Sequence, residues 1–129
     1  MEINRSGNWD HPLWTEDLKK LLQQNLQNVN VGEHVVYEND VFKIWPIHLP
    51  AGGSLPFHRH CRPYFYVALS AGRSRSFYGD GRITESTYES GSTAYYKELD
   101  EENFFIHNLQ NIGDNMLIFS TVEFKTIVK

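Results

Sequence analysis

The spacing of hydrophobic positions changes at Gly32 and divides the chain into two parts. Before this point, leucines recur at intervals of three and four residues, which is the spacing of one face of an α-helix. Thr15 can cap the start of a helix over residues 15 to 28, and Glu16 and Asp17 suit the positive end of its dipole. The apolar stripe consists of Leu18, Leu21, Leu22 and Leu26. The pattern therefore predicts one amphipathic helix whose leucines pack on the outside of a sheet.

After Gly32, short runs of β-branched and aromatic residues alternate with clusters of turn residues. The predicted strands are 33–37, 41–49, 55–60, 64–70, 73–78, 82–88, 93–97, 104–108 and 116–128. The run from Tyr78 to Arg82, with glycine at positions 79 and 81, is typical of a tight hairpin, because glycine readily adopts positive φ. Since turns recur with no helix between them, this part is predicted to be all-β, an antiparallel sandwich or barrel.

Length and composition fit a single folded domain. The chain has 129 residues, of which 40% are hydrophobic and 22% charged. We expect an N-terminal arm and helix, residues 1–32, packed on a barrel formed by residues 33–129. The net charge of −4 and the lack of a Lys/Arg cluster argue against nucleic acid as a partner. No apolar run approaches the roughly 20 residues that span a bilayer, and no signal peptide is recognisable, so a cytoplasmic location without membrane contact is expected.

Two of the six histidines, His58 and His60, stand two residues apart in a predicted strand. Side chains at positions i and i+2 of a strand point to the same face, so both imidazoles enter one volume. A third ligand from another strand would complete a metal site with open positions, as catalytic sites have. His11, His34 and His48 are instead expected to be ordinary surface or hydrogen-bonded residues.

The segment around this pair, residues 52–72, resembles the first motif of the cupin family, in which a glycine precedes His-x-His and a second glycine closes the segment. Gly52, His58, His60 and Gly72 all fall in register with that motif. The resemblance implies a cupin-type antiparallel β-barrel, also described as a double-stranded β-helix or RmlC-like jelly roll, with a short N-terminal helix outside it.

Residues 107–111, His-Asn-Leu-Gln-Asn, resemble the end of the second cupin motif, His-x-x-x-Asn. The resemblance implies that one divalent transition metal binds to His58, His60 and His107, with Fe(II) preferred and Ni, Zn, Mn or Cu as alternatives. It also implies a homodimer, which is common among small cupins. Asn111 is expected to have a structural role.

The chain departs from the family pattern at the position where a metal-binding Glu is usual, which holds Tyr64 or Phe65. The acidic stretch 97–103 is expected to be a solvated turn, although one of its carboxylates at 98–102 could complete the site. The departure favours a site made of three histidines. Because neutral imidazoles leave the charge of the ion uncompensated, an anionic ligand is expected in the open positions.

Arg62, Tyr64 and Tyr66 continue the alternation of the histidine pair if the strand runs on without a break, and they are the candidate substrate-binding residues. An inward Arg62 could anchor a carboxylate substrate through two hydrogen bonds, or it could pair with Glu123. The two tyrosines are expected to form pocket walls. Cys61 falls on the opposite face of the strand from His58 and His60, so a catalytic thiol is not expected there.

These features predict a metal-dependent cupin that acts on a small, anionic metabolite. Cupins with three histidines that resemble this chain include iron dioxygenases, which makes an Fe(II) dioxygenase one form of the hypothesis. The alternative is a cupin without catalytic activity that binds or senses a small molecule. A third interpretation is a metal-free isomerase whose histidines act as general bases.

Overall fold

The computed structural model describes residues 1–125 and confirms the all-β prediction with one short helix. The elements in chain order are α1 (Glu16–Gln24), β1 (Tyr37–Glu38), β2 (Phe42–Leu49), β3 (Ser54–His60), β4 (Tyr64–Ala68), β5 (Gly72–Phe77), β6 (Ile83–Tyr88), β7 (Thr93–Tyr96), β8 (Phe105–Asn111) and β9 (Leu117–Phe124). Within the described part of the chain, no helix is long and apolar enough to cross a membrane.

The strands form two antiparallel sheets that face each other. The five-stranded sheet has the order β1-β2-β9-β4-β7, and the four-stranded sheet has the order β3-β8-β5-β6. In β9 every second residue is buried, starting at Leu117 and ending at Glu123. This alternation is expected of a strand with one face in the core. The residues buried between the sheets include Ile47, Leu49, Leu55, Ala68, Tyr88, Leu109, Leu117 and Phe119.

A second core covers the outer face of the four-stranded sheet. Trp14 lies flat against Phe57 with 6.2 Å between ring centroids, and its indole N–H donates to the carbonyl of Gly81 at 2.8 Å. Leu22 of α1 joins this cluster and is fully buried. Burial of such side chains stabilises the fold by about 1.5–3 kcal/mol each. The N-terminal arm and α1 therefore cover one face of one sheet.

The helix differs from its prediction in length and in its buried face. Thr15 caps it as predicted, because its hydroxyl accepts a hydrogen bond from the backbone N–H of Leu18. The helix ends at Gln24 rather than near residue 28. Leu21 was predicted to lie in the apolar stripe but is 48% exposed. Since adjacent helical residues are turned by about 100°, a helix that buries Leu22 turns Leu21 outward.

The strand predictions differ mainly at the ends of the sheet. Residues 33–36 were predicted as strand, but only Tyr37–Glu38 have strand geometry there. The last strand ends at Phe124, and residues 126–128 of the prediction lie outside the described residues. The predicted hairpin is confirmed, since the N–H of Tyr78 donates to the carbonyl of Arg82 at 2.9 Å and Gly81 has a φ of 91°.

Gly81 offers a direct test of this packing. A Cβ at this position would lie 2.5 Å from the carbonyl oxygen of Gly7. We expect Gly81→Ala to lower the free energy of unfolding by more than the ~1–3 kcal/mol that positive φ alone costs a side chain. Gly91→Ala is the matched control, because Gly91 has a φ of 96° and open space around the added Cβ. Urea unfolding measures the free energy of unfolding of both variants. An equal decrease in the two would contradict the close contact between position 81 and the carbonyl oxygen of Gly7.

Candidate metal centre

A β-bulge in β3 sets the direction of the histidine pair. Leu55 pairs with Leu109 and His58 pairs with His107, so three positions on β3 span two positions on β8. Pro56 lies within the bulge, where its missing N–H does not interrupt the ladder of hydrogen bonds. One extra residue is thus accommodated between two regular pairs.

The extra residue changes which side chains face the interior. Leu55 and His58 both line the cavity between the sheets, whereas Phe57 is buried in the outer core beneath α1. Regular alternation resumes after the bulge, and His60 also lines the cavity. The bulge therefore allows Leu55 and both histidines to share one interior face.

The three histidines converge through their Nε2 atoms. The distance from His58 Nε2 to His60 Nε2 is 3.0 Å, and that from His60 Nε2 to His107 Nε2 is 3.2 Å. One nitrogen from each ring lies within 4.8 Å of the other two. A metal ion holds imidazole nitrogens at about 2.0–2.1 Å, so ligands at near-right angles stand about 3 Å apart. The spacing of the nitrogens therefore fits a shared divalent ion.

Hydrogen bonding among the imidazoles does not account for this convergence. Nδ1 of His58 lies 2.8 Å from the carbonyl oxygen of Pro56 and must donate to it, so Nε2 of His58 carries a lone pair. Nε2 of His60 can offer only one N–H, which would have to be shared between its two neighbours. A cation instead accepts a lone pair from each ring, so the donor set suits a metal ion.

Burial keeps these imidazoles neutral. It lowers the pKa of His58 to about 4, although the carbonyl of Pro56 acts in the opposite direction. Burial also holds the pKa of His60 and that of His107 well below the ordinary value, and the neighbouring histidines add to the effect. At neutral pH, all three rings therefore have an unprotonated nitrogen available for a metal ion.

Tyr64 lies against His60 as a flat aromatic stack. The ring centroids are 4.0 Å apart and the planes differ by 14°, and Tyr96 stacks on the other side of Tyr64 at 4.9 Å. Nδ1 of His60 and Nδ1 of His107 have no hydrogen-bond partner among the described residues. Metal-binding histidines are usually oriented by such a hydrogen bond. The stack fixes the orientation of the His60 ring, and Tyr64 is one of the two positions, with Phe65, at which the family resemblance would place a glutamate.

Replacement of Tyr64 tests this orienting role. We expect Tyr64→Leu to weaken binding of a divalent metal by about 10-fold or more, as loss of an orienting contact does, whereas Tyr64→Phe should keep the wild-type affinity. Competition with a chromophoric chelator measures the affinity, and the visible spectrum of bound Co(II) reports the ligand geometry. Equal weakening by both substitutions would show that the hydroxyl matters and the stack does not.

The histidines form one wall of a cavity of about 80 Å³ between the sheets. Most of the other lining side chains carry hydroxyl groups: Tyr64, Tyr66, Ser76, Tyr78, Thr84, Ser86, Tyr88, Tyr96 and Thr121. The apolar part of the lining consists of Val31, Ile47, Leu55, Leu109 and Phe119. The cavity is therefore small, rich in hydroxyl groups and open to the candidate metal position.

The structure places the predicted substrate-binding residues in two different environments. Tyr64 and Tyr66 line the cavity, as predicted. Arg62 does not line it, and its Nη1 lies 2.7 Å from Oε1 of Glu101 instead. The prediction failed for Arg62 because β3 ends at His60 and β4 begins at Tyr64, so strand alternation does not continue through Pro63.

Several residues near the site have structural contacts of their own. Glu123, the alternative partner of Arg62, accepts a hydrogen bond from the indole N–H of Trp45 at 3.1 Å. Burial raises the pKa of Cys61, which leaves this thiol protonated at neutral pH. His48 contacts Oε1 of Glu33. The side-chain amide of Asn111 donates to the carbonyl of Leu49, in keeping with the structural role expected for Asn111.

The acidic stretch forms a turn, as predicted. Oδ1 of Asp100 accepts hydrogen bonds from the backbone N–H groups of Glu102 and Asn103 at 2.8 and 2.7 Å. Among residues 1–125, no carboxylate joins the three-histidine group. The site is thus a group of three neutral imidazoles without a nearby acidic ligand.

Sequence reasoning did not identify Tyr78, Tyr96 or the small hydroxyl residues of the cavity. Ser74 and Ser76 alternate with basic and aromatic residues in β5, and this alternation could have predicted that the interior face of the strand is polar. Tyr96 gave no such signal, because it reaches the cavity only through the pairing of β7 with β4.

Comparison with known proteins supports the fold. No protein-family model matches the sequence, and no curated protein matches it either. A solved cupin domain from Bordetella pertussis Tohama I has 25% identity and a TM-score of 0.62, with coverage of 72% of this chain and 91% of that domain. A double-stranded β-helix protein from Klebsiella pneumoniae has 20% identity and a TM-score of 0.56, with coverage of 80% and 85% of the two chains.

An RmlC-like cupin from Methanocaldococcus jannaschii is similar at 20% identity and a TM-score of 0.55, with coverage of 70% of this chain and 76% of that one. These matches agree with the two-sheet topology of the chain. The protein therefore has the double-stranded β-helix fold of the cupin superfamily, with a three-histidine group in its interior.

Proposed function

We propose that the protein is a metal-dependent cupin that holds one divalent transition metal on His58, His60 and His107 and acts on a small anionic molecule. The observation that carries the proposal is the convergence of three neutral Nε2 atoms, with spacings of 3.0 and 3.2 Å, on one wall of an interior cavity. Fe(II) is the preferred ion, with Ni, Zn, Mn or Cu as alternatives. A bound ion would supply Lewis acidity and open coordination positions for a ligand.

The charge around the site supports an anionic ligand. Three neutral imidazoles leave the charge of a divalent ion uncompensated, and no carboxylate of residues 1–125 stands beside them. An anion that enters the open positions supplies the missing negative charge. Tyr64 and Tyr66 form pocket walls around such a ligand and limit its contact with water.

Two activities are compatible with this site. The first is an Fe(II) dioxygenase, which is supported by the resemblance to three-histidine cupins and by a cavity whose lining is rich in aromatic side chains. The second is a binding or sensing cupin without catalysis. It is supported by the cavity lining of the described chain, which contains no Lys, Asp or Glu that could act as an acid or base beside the histidines. A metal-free isomerase is disfavoured, because a histidine with a pKa of about 4 is a weak base at neutral pH.

Metal analysis of the purified protein tests the site. We expect about one equivalent of a divalent transition metal per chain in the wild type, and loss of that metal in His60→Ala, because one of three ligands is removed. His48→Ala is the matched control and should keep the metal, since His48 lies on the surface beside Glu33. Retention of the metal in His60→Ala would contradict the proposal.

Oxygen consumption separates the two activities. With Fe(II) bound, the protein would be assayed with thiols, diketones and small carboxylates, and uptake of oxygen with any of them would support a dioxygenase. A compound that raises the melting temperature without oxygen uptake would support the binding protein.

We further propose that two copies pair through the outer face of the five-stranded sheet. The opposite outer face of the molecule is covered by the N-terminal arm and α1, whereas this one carries aromatic side chains that contact one another in a row across the strands. The row consists of Tyr37, Phe42, Phe124, Phe65 and Tyr95. An apolar face of this kind is typical of a subunit interface.

A glutamate in the aromatic row should separate the two copies. Light scattering after gel filtration is expected to give the mass of two chains for the wild type and of one chain for Phe65→Glu, because the new charge cannot be buried without a partner. Thr87→Glu, at an exposed position of the other sheet, should stay dimeric. A monomeric wild type would contradict this proposal.

A further inference from the structure

The lining of the cavity is uncharged. Within the described chain, none of the residues that line it is Lys, Arg, Asp or Glu. Imidazole is neutral when it binds a metal ion, so the three histidines would add no charge of their own. Strand alternation predicted that Arg62 points into the cavity, but Arg62 pairs with Glu101 and does not line the cavity. A metal ion on the histidines would therefore be the one charged group that a ligand meets among these residues.

Tyrosine hydroxyls dominate the polar part of the lining. The phenol oxygen of Tyr88 is 2.8 Å from Oγ of Ser74, so this group already has a protein partner. Tyr66, Tyr78 and Tyr96 also line the cavity, and their hydroxyls make no hydrogen bond to another group of the described residues. Burial raises the pKa of Tyr66 and that of Tyr96, so both stay protonated and can donate. These hydroxyls can recognise uncharged polar groups of a ligand.

The cavity beside the histidines has room for a ligand of a few carbon atoms. Its volume is about 80 Å³. Since one water needs roughly 10–15 Å³ of such space, the cavity has room for roughly five to eight water-sized groups. A ligand of this size that coordinates a metal at one end places its other end against the hydroxyl-lined wall.

A second charge on the ligand would be buried without a partner. A second carboxylate would meet hydroxyl and aromatic groups but no Lys or Arg, and an ammonium group would meet no carboxylate. Burial of an unpaired charge is strongly unfavourable, whereas an alcohol group can exchange hydrogen bonds with the tyrosines. The lining therefore favours ligands whose second polar group, at the end remote from the metal, is uncharged.

We infer that the ligand of this cavity is a small monoanion, such as a short hydroxycarboxylate, whose single anionic group coordinates the metal and whose remaining polar groups are uncharged. This inference rests on the proposed metal site and narrows its substrate class. In this inference the metal ion, and not Arg62, binds the anionic group of the ligand.

A matched series of three compounds tests the inference with the Co(II)-loaded protein. Lactate, glycerate and tartronate share a 2-hydroxycarboxylate, and the remaining substituent is a methyl, a hydroxymethyl or a second carboxylate. The absorption spectrum of bound Co(II) would report titration with each compound. We expect glycerate to bind about fivefold tighter than lactate, because of its additional hydrogen bond, and about tenfold or more tighter than tartronate.

Free Co(II) in water prefers the dicarboxylate, because two carboxylates chelate better than one, so the expected order must come from the protein. If Co(II) stays bound but tartronate binds as tightly as glycerate, the inference is wrong and the metal site stands. The same holds if Co(II) stays bound and none of the three compounds changes its spectrum. If Co(II) is lost on gel filtration, the proposed function and the inference both fail.

Tyr66→Phe tests the hydroxyl wall separately. This variant keeps the ring and removes the oxygen, so we expect the preference for glycerate over lactate to shrink while the Co(II) spectrum without ligand stays the same. Thr87→Val is the control, because it removes a hydroxyl group at an exposed position of β6 that does not line the cavity. An unchanged preference in both Tyr66→Phe and a Tyr78→Phe variant would overturn the role given to the hydroxyls.

Discussion

The structure depends most on the burial of three neutral imidazoles whose Nε2 lone pairs point toward one another. His58 and His60 are fully buried, and their Nε2 atoms stand 3.0 Å apart. Polar groups in such an environment destabilise the fold unless each has a partner. A divalent ion would give all three nitrogens one shared partner. The bulge in β3, which accommodates Pro56, makes this arrangement compatible with a regular sheet on both sides.

The outer faces of the two sheets differ in what covers them. The four-stranded sheet carries β3 and β8, the source of all three histidines, and its outer face lies beneath Trp14 and α1. The five-stranded sheet contributes Tyr64 and Tyr66 to the cavity and leaves an aromatic row on its outer side. The sheet that carries the histidines is thus supported from within the chain, while the opposite sheet leaves an aromatic outer surface that fits the proposed contact with a second copy.

The limits of sequence reasoning lie where the chain leaves regular strand geometry. The shared face of His58 and His60 follows from strand alternation and was predicted correctly. Arg62 follows a strand end, so the same rule failed there. The contact of Tyr96 with Tyr64 depends on which strands become neighbours, and local residue patterns do not encode that pairing. The fold could be predicted from motifs and turn spacing, whereas the uncharged lining became visible only when the strands were assembled.

A crystal structure with anomalous scattering measured at the absorption edges of candidate metals tests whether His58, His60 and His107 share one metal ion. We expect one anomalous peak between the sheets, about 2.0–2.2 Å from Nε2 of each histidine. We also expect Tyr64 to stay stacked on His60 in that structure. Crystals of metal-supplemented protein that show no peak at this position, or a peak held by other side chains, would contradict a shared metal ion.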